Sequence, residues 1–319
     1  MSMIMLTAAP TTQPATRRPR FRRHDPPPFR LTVDDLSIIR HVGSHRFLRS
    51  THLIQLIGRP ADKVLRRLSA LFHHGYLDRP RAQLDYLLIA GSAPLIYALG
   101  NKGAALYAQF DGVDLASVDW TDKNRGVGRP YLDHALMIAE FMIALECSVR
   151  SRADFKLLSA REIVADAASM IERANASRTL TASVPGEADG LSVTPDKVFG
   201  LEFAATGRRN YFCLEADRST MPITRRTLAQ SSFRKKLLVY HHAHQAKRHI
   251  AQWGIPGFRV LTIAKSAERI ASMIEVVAEI TAGKGSNVFL FADTNMASSV
   301  DPFATVWITG KGHRTQLVE

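Results

Sequence analysis

The feature that most constrains the fold of this chain is a block of three helical patterns between Leu31 and Gly75. Apolar residues recur there every three to four positions, which is the spacing of a helix with one buried face. Thr32 suits the N-cap of the first helix, and Gly58 suits the end of a short second helix. Pro60 fits the first turn of a third helix, which is predicted over Ala61 to His74. The block therefore predicts a helix, a short helix and a longer helix in close succession.

Strand patterns follow these helices directly. Tyr76-Leu77, Tyr86 to Ile89 and Leu95 to Leu99 have strand character, and a turn with Gly and Pro separates the last two. Helix, short helix, longer helix and a two- or three-stranded ribbon is the order of a winged helix-turn-helix. The sequence thus predicts a winged helix DNA-binding domain over residues 31–110, with a fourth helix beginning near Asn101.

Basic side chains are concentrated on the part of this predicted domain that would meet DNA. In a winged helix-turn-helix the third helix enters the major groove. The polar face of that helix and the ribbon after it carry Arg59, Lys63, Arg66, Arg67, Arg79 and Arg81. Each alone is typical of a solvated surface, but together they favour contacts with phosphates and bases. The whole chain has 42 Lys and Arg against 29 Asp and Glu, a net charge of +13, which favours a polyanionic partner. Double-stranded DNA is the predicted partner.

The length of 319 residues exceeds the usual size of one hydrophobic core, so two domains are expected. Residues 1–30 hold six Pro and six Arg against one acidic residue, which predicts a disordered basic arm. Residues 111–130 are rich in Asp and Gly and are interpreted as a linker. Two cysteines cannot form a disulfide framework, which favours a reducing, cytoplasmic location. Without a run of about 18 apolar residues, no membrane span is predicted.

The second half alternates helical and strand patterns. Helices are predicted at about Leu132 to Arg150, Ala160 to Ala174, Ser231 to Trp253 and Ala267 to Thr281, and strands at Phe155 to Leu158, Pro195 to Ala204, Asn210 to Glu215, Phe258 to Ile263 and Val288 to Phe291. This is the αβββαβ order of the restriction-endonuclease-like fold, predicted over residues 131–294. Residues 295–319 are expected to form a loosely structured C-terminal extension with one short β run, Ala304 to Ile308. The predicted fold class is α/β, more closely α+β.

Two acidic motifs bracket the predicted hairpin of this second half. Thr194-Pro195-Asp196 begins its first strand, and Glu215-Ala216-Asp217 ends its second. Alternate residues of a strand point to one face, so Glu215 and Asp217 project together, and the hairpin could bring Asp196 beside them. Such a carboxylate cluster suits Mg²⁺, which would polarise a phosphodiester and activate a water. Glu140 on the preceding helix is a further candidate metal ligand.

This arrangement resembles the PD-(D/E)XK nuclease superfamily, with one departure. Where the superfamily has Lys, this chain has Asp217, and the missing cation could come from Lys236 or Lys235 on the next helix. The resemblance implies catalytic roles for Asp196, Glu215, Asp217 and Lys236, with Asp196, Glu215 and Glu140 as metal ligands. A substituted motif is equally typical of a relative that binds DNA without cutting it, and Pro-Asp is also a common turn dipeptide.

The layout also resembles the replication-relaxation family of plasmid and mobile-element proteins. The resemblance rests on the N-terminal winged helix, on His134 in Leu132-Asp133-His134-Ala135-Leu136, on Pro195-Asp196, on Glu215-Ala216-Asp217-Arg218 and on Lys236 followed by Tyr240, and it covers about residues 31–293. It implies a role in plasmid replication or in DNA relaxation and transfer, with replication or mobilisation proteins as further partners.

Three functions remain open from the sequence. The first is a Mg²⁺-dependent nicking endonuclease, and the second is a non-enzymatic regulator or replication accessory factor with a degenerate nuclease fold. The third is a winged-helix transcription factor with an effector-sensing domain, which requires an enclosed apolar pocket in the second half. The histidines His241, His242, His244 and His249 crowd one helix, but no acidic or Cys partner lies nearby in sequence, so a solvated helix is favoured there.

Overall fold

A computed structural model of the protein describes residues 21–84, 93–111, 119–167, 179–186, 190–226, 228, 230–294 and 301–318. Several sequence predictions lie outside these residues. They are most of the predicted basic arm (residues 1–20), the predicted strand Tyr86 to Ile89, residues 112–118 of the predicted linker, and the end of the helix predicted from Ala160 to Ala174.

The described part of the N-terminal half begins with three helices and a small sheet. The elements are α1 (Val33–His45), β1 (Leu48–Arg49), α2 (Ser50–Ile57), α3 (Ala61–His73), β2 (Leu77–Asp78) and β3 (Ile96–Leu99). The strands form an antiparallel sheet in the order β1-β3-β2. Thr32 caps α1 as expected, because its hydroxyl accepts a hydrogen bond from the Asp35 amide while the Asp35 carboxylate accepts one from the Thr32 amide.

Two further helices, α4 (Asn101–Asp111) and α5 (Trp120–Arg125), follow in the described part of this half. The predicted linker is therefore helical over part of its length. Trp120 is buried in the same core as the first three helices, and the Asn124 side-chain amide donates to the carbonyl of Leu99 at 2.8 Å. These contacts fix residues 119–125 against the N-terminal half.

The C-terminal half is built on a mixed sheet. Its elements are α6 (Arg129–Arg150), β4 (Phe155–Ser159), α7 (Ala160–Ala167), β5 (Leu180–Ala182), β6 (Leu191–Val193), β7 (Lys197–Phe203), β8 (Arg209–Asp217), α8 (Phe233–Gln245), α9 (Arg248–Trp253), β9 (Arg259–Ala264), α10 (Ala267–Ile280), β10 (Phe289–Asp293), β11 (Trp307–Thr309) and β12 (Arg314–Thr315). Seven strands form one sheet in the order β12-β11-β10-β9-β8-β7-β4, while β5 and β6 form a separate pair. The pairs β8–β9 and β9–β10 are parallel, and the other pairs of the large sheet are antiparallel. The mixed α/β class predicted from the sequence is confirmed.

Both faces of the large sheet are covered. On β8, Phe212 and Leu214 join the core that includes α6, whereas Cys213 joins the core that includes α8 and α10. This alternation follows from the two-residue period of a strand. It means that Glu215, next on the Cys213 face, points toward α8.

Two regions differ from the sequence prediction. The helix expected from Ser231 to Trp253 is interrupted at Lys247, which has a positive φ of 52° and separates α8 from α9. The C-terminal extension is more ordered than expected, because β11 and β12 continue the large sheet. Trp307 is fully buried and meets the Phe141 ring edge-on at 6.0 Å between ring centres. Burying so large an aromatic side chain stabilises the added strands.

Candidate functional site

The start of β7 and the end of β8 bring two acidic side chains together. Lys197 pairs with Leu214 across these antiparallel strands, so Asp196 lies beside the end of β8. The Asp196 carboxylate accepts a hydrogen bond from the Ala216 amide at 2.8 Å. Asp196 and Glu215 both line one cavity of about 410 Å³. The hairpin therefore brings the two sequence motifs together, as the strand periodicity predicted.

Glu215 is held by two side chains of α8. It is 1 % exposed, and its Oε1 accepts a hydrogen bond from the Tyr240 hydroxyl at 2.5 Å. Its Oε2 forms an ion pair with the Lys236 ammonium. Lys236 and Tyr240 are four residues apart and so share one face of α8. The structure thus places Lys236 beside Glu215, whereas Lys235 makes no such contact with Glu215.

Asp196 has a second partner from α6. The Nε2 atom of His134 lies 3.2 Å from Asp196 Oδ1. Burial opposes ionisation of Asp196, but the hydrogen bond from His134 and the charge of Lys236 outweigh it, so the pKa of Asp196 is below its ordinary value. Asp196 is consequently ionised at neutral pH.

Glu215 responds to the same surroundings in the opposite direction. Burial raises its pKa to about 7, the negative charge of Asp196 adds to the increase, and Lys236 opposes it. The pKa of Lys236 is raised, because the charges of Glu215 and Asp196 outweigh its own burial. Two neighbouring carboxyl groups whose pKa values are pushed apart form a typical acid–base arrangement. Near pH 7 this site can therefore take up or release a proton at Glu215.

The third predicted carboxylate is engaged elsewhere. Asp217 lies on the same face as Glu215, but Arg269 of α10 donates to its two oxygens at 2.8 and 3.0 Å. The Ser219 amide also donates to Asp217 at 3.2 Å. A bidentate pair with Arg fixes and neutralises the carboxylate. Asp217 therefore supports the wall of the cavity and is poorly placed to assist a metal ligand.

Glu140, predicted as a further metal ligand, lies apart from this cluster. Its carboxylate forms an ion pair with Arg49 of β1, and it is not among the described residues that line the cavity. The expectation is corrected for a geometric reason. Glu140 faces the N-terminal half, whereas His134, six residues earlier on the same helix, faces Asp196.

Two arginines near the site had no role assigned from the sequence. Arg218 donates to Asp133 and to the carbonyl of Pro130, both at 2.6 Å, and so links the end of β8 to the start of α6. In the sequence, the one local feature that could have indicated a role for Arg218 is its position directly after Glu215-Ala216-Asp217. Arg269 lies 52 residues beyond Asp217, and no local pattern indicates their contact.

The donor set fits an oxygen-ligated cation in part. Mg²⁺ prefers carboxylate oxygens and keeps several waters. Asp196 and Glu215 offer such oxygens, and a carboxylate oxygen that accepts one hydrogen bond retains a second lone pair. These two residues could therefore hold Mg²⁺ together with water, without Asp217 or Glu140.

The six cations predicted to contact DNA differ in exposure: four are exposed, one is half-buried and one is buried. Arg59, Lys63, Arg66 and Arg81 are exposed. Arg67 is half-buried and forms an ion pair with Asp35, the residue that closes the cap of α1.

Arg79 requires a correction. It is 8 % exposed, and its guanidinium lies over the Phe72 ring at 4.0 Å. A buried guanidinium stacked on an aromatic ring cannot present itself to a phosphate, so Arg79 stabilises the N-terminal core. Its sequence neighbour Arg81 remains exposed.

None of the helices in the described part of the chain is long and apolar enough to cross a bilayer. Among known proteins, no curated protein and no solved structure matches the chain. The family model described as replication-relaxation matches residues 39–253. That segment is about two thirds of the chain and includes α2, α3 and the residues His134, Asp196, Glu215 and Lys236. The chain therefore belongs to the replication-relaxation family.

Proposed function

We propose that this protein binds double-stranded DNA during plasmid or mobile-element replication, relaxation or transfer, and nicks its backbone with Mg²⁺ held by Asp196 and Glu215. The family suggests the biological setting. The single observation that carries the chemistry is the meeting of Asp196, Glu215 and Lys236 at one cavity.

DNA binding is supported by the N-terminal half. The order α1, β1, α2, α3, β2 and β3, with the three strands in one antiparallel sheet, is consistent with a winged helix. In that arrangement α3 would enter the major groove with Lys63 and Arg66 exposed and with Arg59 just ahead of it. The net charge of +13 adds a sequence-independent attraction to phosphates.

A nuclease-like arrangement is supported by the order of elements in the C-terminal half. Helix α6 precedes the antiparallel strands β4, β7 and β8, and then α8 leads to β9, which is parallel to β8. This order is consistent with the αβββαβ core expected of a restriction-endonuclease-like fold, with α7 and the β5–β6 pair inserted between β4 and β7. The acidic cluster lies where β7 begins and β8 ends.

The residues of the cavity have complementary roles in this proposal. His134 orients Asp196, and Tyr240 orients Glu215. Glu215 must lose its proton before it can bind a cation, so the site is favoured above pH 7. When bound, Mg²⁺ supplies polarisation of the phosphodiester and a lowered pKa of a bound water. Lys236 then stabilises the negative charge that develops on the phosphate.

The test is a plasmid-nicking assay. Supercoiled plasmid incubated with the full chain and Mg²⁺ or Mn²⁺ is expected to give open circles. Asp196→Asn and Lys236→Met are each expected to lower the nicking rate at least 100-fold, as loss of a metal ligand or of transition-state stabilisation does. Asp154→Asn removes an exposed carboxylate outside the cavity and serves as the matched control. Equal nicking by the wild type and by Asp196→Asn would exclude the proposal.

One observation favours a binding-only protein as the second candidate. Arg269 donates hydrogen bonds to the Asp217 carboxylate. Lys236 and Tyr240 contact the two oxygens of Glu215, so both carboxylates already have partners within the protein. A protein that retards DNA in a gel but leaves the plasmid supercoiled in every metal would be a replication accessory factor or regulator. An effector-sensing role is less well supported, because charged residues line the cavity beside Glu215.

A further inference from the structure

Helices α1 and α6 meet at a cluster of two histidines and one glutamate. His41 and His45 are four residues apart and share one face of α1. Glu146 of α6 faces both, with its oxygens 3.7 Å from His41 Nδ1 and 3.7 Å from His45 Nε2. One ligand atom from each of the three residues lies within 4.8 Å of the other two.

The cluster borders a large cavity between the two halves of the protein. All three side chains line a space of about 840 Å³, which is separate from the cavity of Asp196 and Glu215. The His45 side chain is only 6 % exposed and that of Glu146 21 % exposed. A carboxylate and two imidazoles thus share a site that is partly withdrawn from water and open on one side.

We propose that His41, His45 and Glu146 bind a divalent transition metal, with Zn²⁺ as the ion that fits best, and that this ion joins α1 to α6. Nitrogen ligands favour zinc and its neighbours over Mg²⁺. Three protein ligands with a fourth position open to a cavity is a common zinc arrangement. The site is independent of the proposed nicking reaction.

Tetrahedral coordination requires ligand atoms that lie closer together than the 4.8 Å within which these three are found. Zinc bonds of about 2.0–2.1 Å place tetrahedral ligands ~3.4 Å apart. The two separations of 3.7 Å run to different oxygens of Glu146, Oε1 for His41 and Oε2 for His45. Ligand atoms that lie within 4.8 Å of one another therefore need to approach by up to ~1.4 Å, which rotation of the three side chains can supply.

Neighbouring cations orient the ligands and limit the affinity. Arg150 donates to Glu146 at 2.6 Å and to the carbonyl of Leu56 at 2.7 Å. Lys197 donates to the carbonyl of Ser44 at 3.0 Å. The contact with Arg150 fixes the Glu146 carboxylate, as outer partners of metal ligands commonly do. The two positive charges also repel a cation, so we expect micromolar rather than nanomolar affinity.

The site is proposed for binding and not for hydrolysis. In zinc metalloproteases with two His at this spacing, a Glu follows the first His and acts as the general base. Here that position is Val42, which is fully buried in the N-terminal core. Val42 cannot accept a proton, so the general base of such proteases has no counterpart at this position of α1.

A second histidine cluster on α8 and α9 provides a contrast. The rings of these histidines contact in two pairs, His241 with His242 and His244 with His249. Among the described residues, only His41, His45 and Glu146 form a group of three metal-ligating side chains at bonding range. The α8 histidines are consequently the matched control.

The test uses the full chain after EDTA treatment and dialysis. Titration with ZnCl2 in a calorimeter is expected to show one ion per chain and a raised melting temperature. CoCl2 is expected to give the visible absorption of Co²⁺ bound by imidazole in tetrahedral geometry. His41→Gln and Glu146→Gln are each expected to weaken Zn²⁺ binding at least tenfold, whereas the double variant His241→Gln, His244→Gln keeps wild-type affinity.

Two results would overturn the proposal. One is the absence of stoichiometric Zn²⁺ binding and of the Co²⁺ absorption in the wild type. The other is unchanged affinity in both His41→Gln and Glu146→Gln. Glu146→Gln keeps the size of the side chain and its contact with Arg150, and circular dichroism without metal identifies any variant that fails to fold. The wild-type Co²⁺ spectrum decides the question even if one variant unfolds.

Discussion

At the scale of single residues, Glu215 carries the most unusual environment in the C-terminal half. Its carboxylate is fully buried, and desolvation raises its pKa to about 7. Its ordinary pKa is 4.5, so the folded chain retains this proton over a range in which the unfolded chain releases it. The stabilisation from protonated Glu215 is complete below pH 4.5 and is lost as the pH rises to about 7.

This dependence leads to a prediction for Lys236→Met. The substitution removes the cation that faces Glu215 and leaves a buried charge without its partner. The free energy of unfolding is expected to fall by about 3 kcal/mol at pH 8. At pH 5.5 the loss is expected to be smaller, because Glu215 is then protonated. Urea denaturation followed by circular dichroism at the two pH values measures the difference.

The control for this prediction is the double variant Glu215→Gln, Lys236→Met. A neutral amide in place of the carboxylate removes the titrating group while keeping its size. The double variant is expected to lose the same stability at both pH values. If Lys236→Met alone were equally destabilised at pH 5.5 and pH 8, the ion pair would not be the source of its stability.

At the scale of elements, α3 has a buried face and an exposed basic face. Val64, Leu68, Leu71 and Phe72 pack into the N-terminal core, and Lys63 and Arg66 point outward. Arg66 pairs with Asp62 one turn away at 2.9 Å, but both side chains are largely exposed. An exposed pair of this kind is weak, so Arg66 can exchange Asp62 for a phosphate.

The double variant Lys63→Ala, Arg66→Ala tests the role of α3. Each lost phosphate contact is expected to reduce the slope of log K against log salt by about 0.9. Affinity for any duplex should therefore fall, and more strongly at low salt. Fluorescence anisotropy with a labelled duplex at several salt concentrations measures both quantities.

Two controls separate DNA contact from folding in that experiment. Lys284→Ala removes an exposed charge after α10 and should leave the slope unchanged if the contact is specific to α3. Arg79→Met removes a buried guanidinium, so it is expected to lower the melting temperature without changing the slope of the folded protein. If the slope of log K against log salt were unchanged in Lys63→Ala, Arg66→Ala, α3 would not contact the DNA phosphates.

At the scale of the whole molecule, α6 connects the two halves. Ala139 and Ile143 belong to the core of the N-terminal half, whereas Phe141 and Leu145 belong to the core under the large sheet. A helix of 22 residues that buries both faces cannot leave one core without disturbing the other. The position of α6 thus also determines how His134 meets Asp196 and how Glu146 meets α1.

The C-terminal strands contribute Trp307 to the core that α6 shares with the large sheet. Trp307→Ala is therefore expected to destabilise the protein. Trp307 is fully buried against Phe141 of α6. Removing it creates a cavity and is expected to cost about 3–5 kcal/mol. Val306 is 40 % exposed, so Val306→Ala should change stability by less than ~0.5 kcal/mol. Thermal unfolding of the two variants compares them, and equal melting temperatures would show that β11 does not contribute to the core.

The sequence by itself determined the features that depend on neighbouring residues. Helical spacing and the Thr32 cap located α1, and Pro60 located the start of α3. The β runs predicted at Pro195 to Ala204 and Asn210 to Glu215 located β7 and β8. The strand period also placed Glu215 and Asp217 on one face. These features follow from contacts within a few residues, which periodicity and capping report directly.

Only the tertiary structure decided several partners of charged side chains that lie far apart in the sequence. Arg269 reaches Asp217 across 52 residues, and Arg49 reaches Glu140 across 91. The burial of Arg79, the pairing of β11 with β10 and the meeting of His45 with Glu146 are likewise long-range. A local pattern shows which face of its own helix or strand a side chain occupies. Which other element packs against that face depends on the tertiary fold of the whole chain.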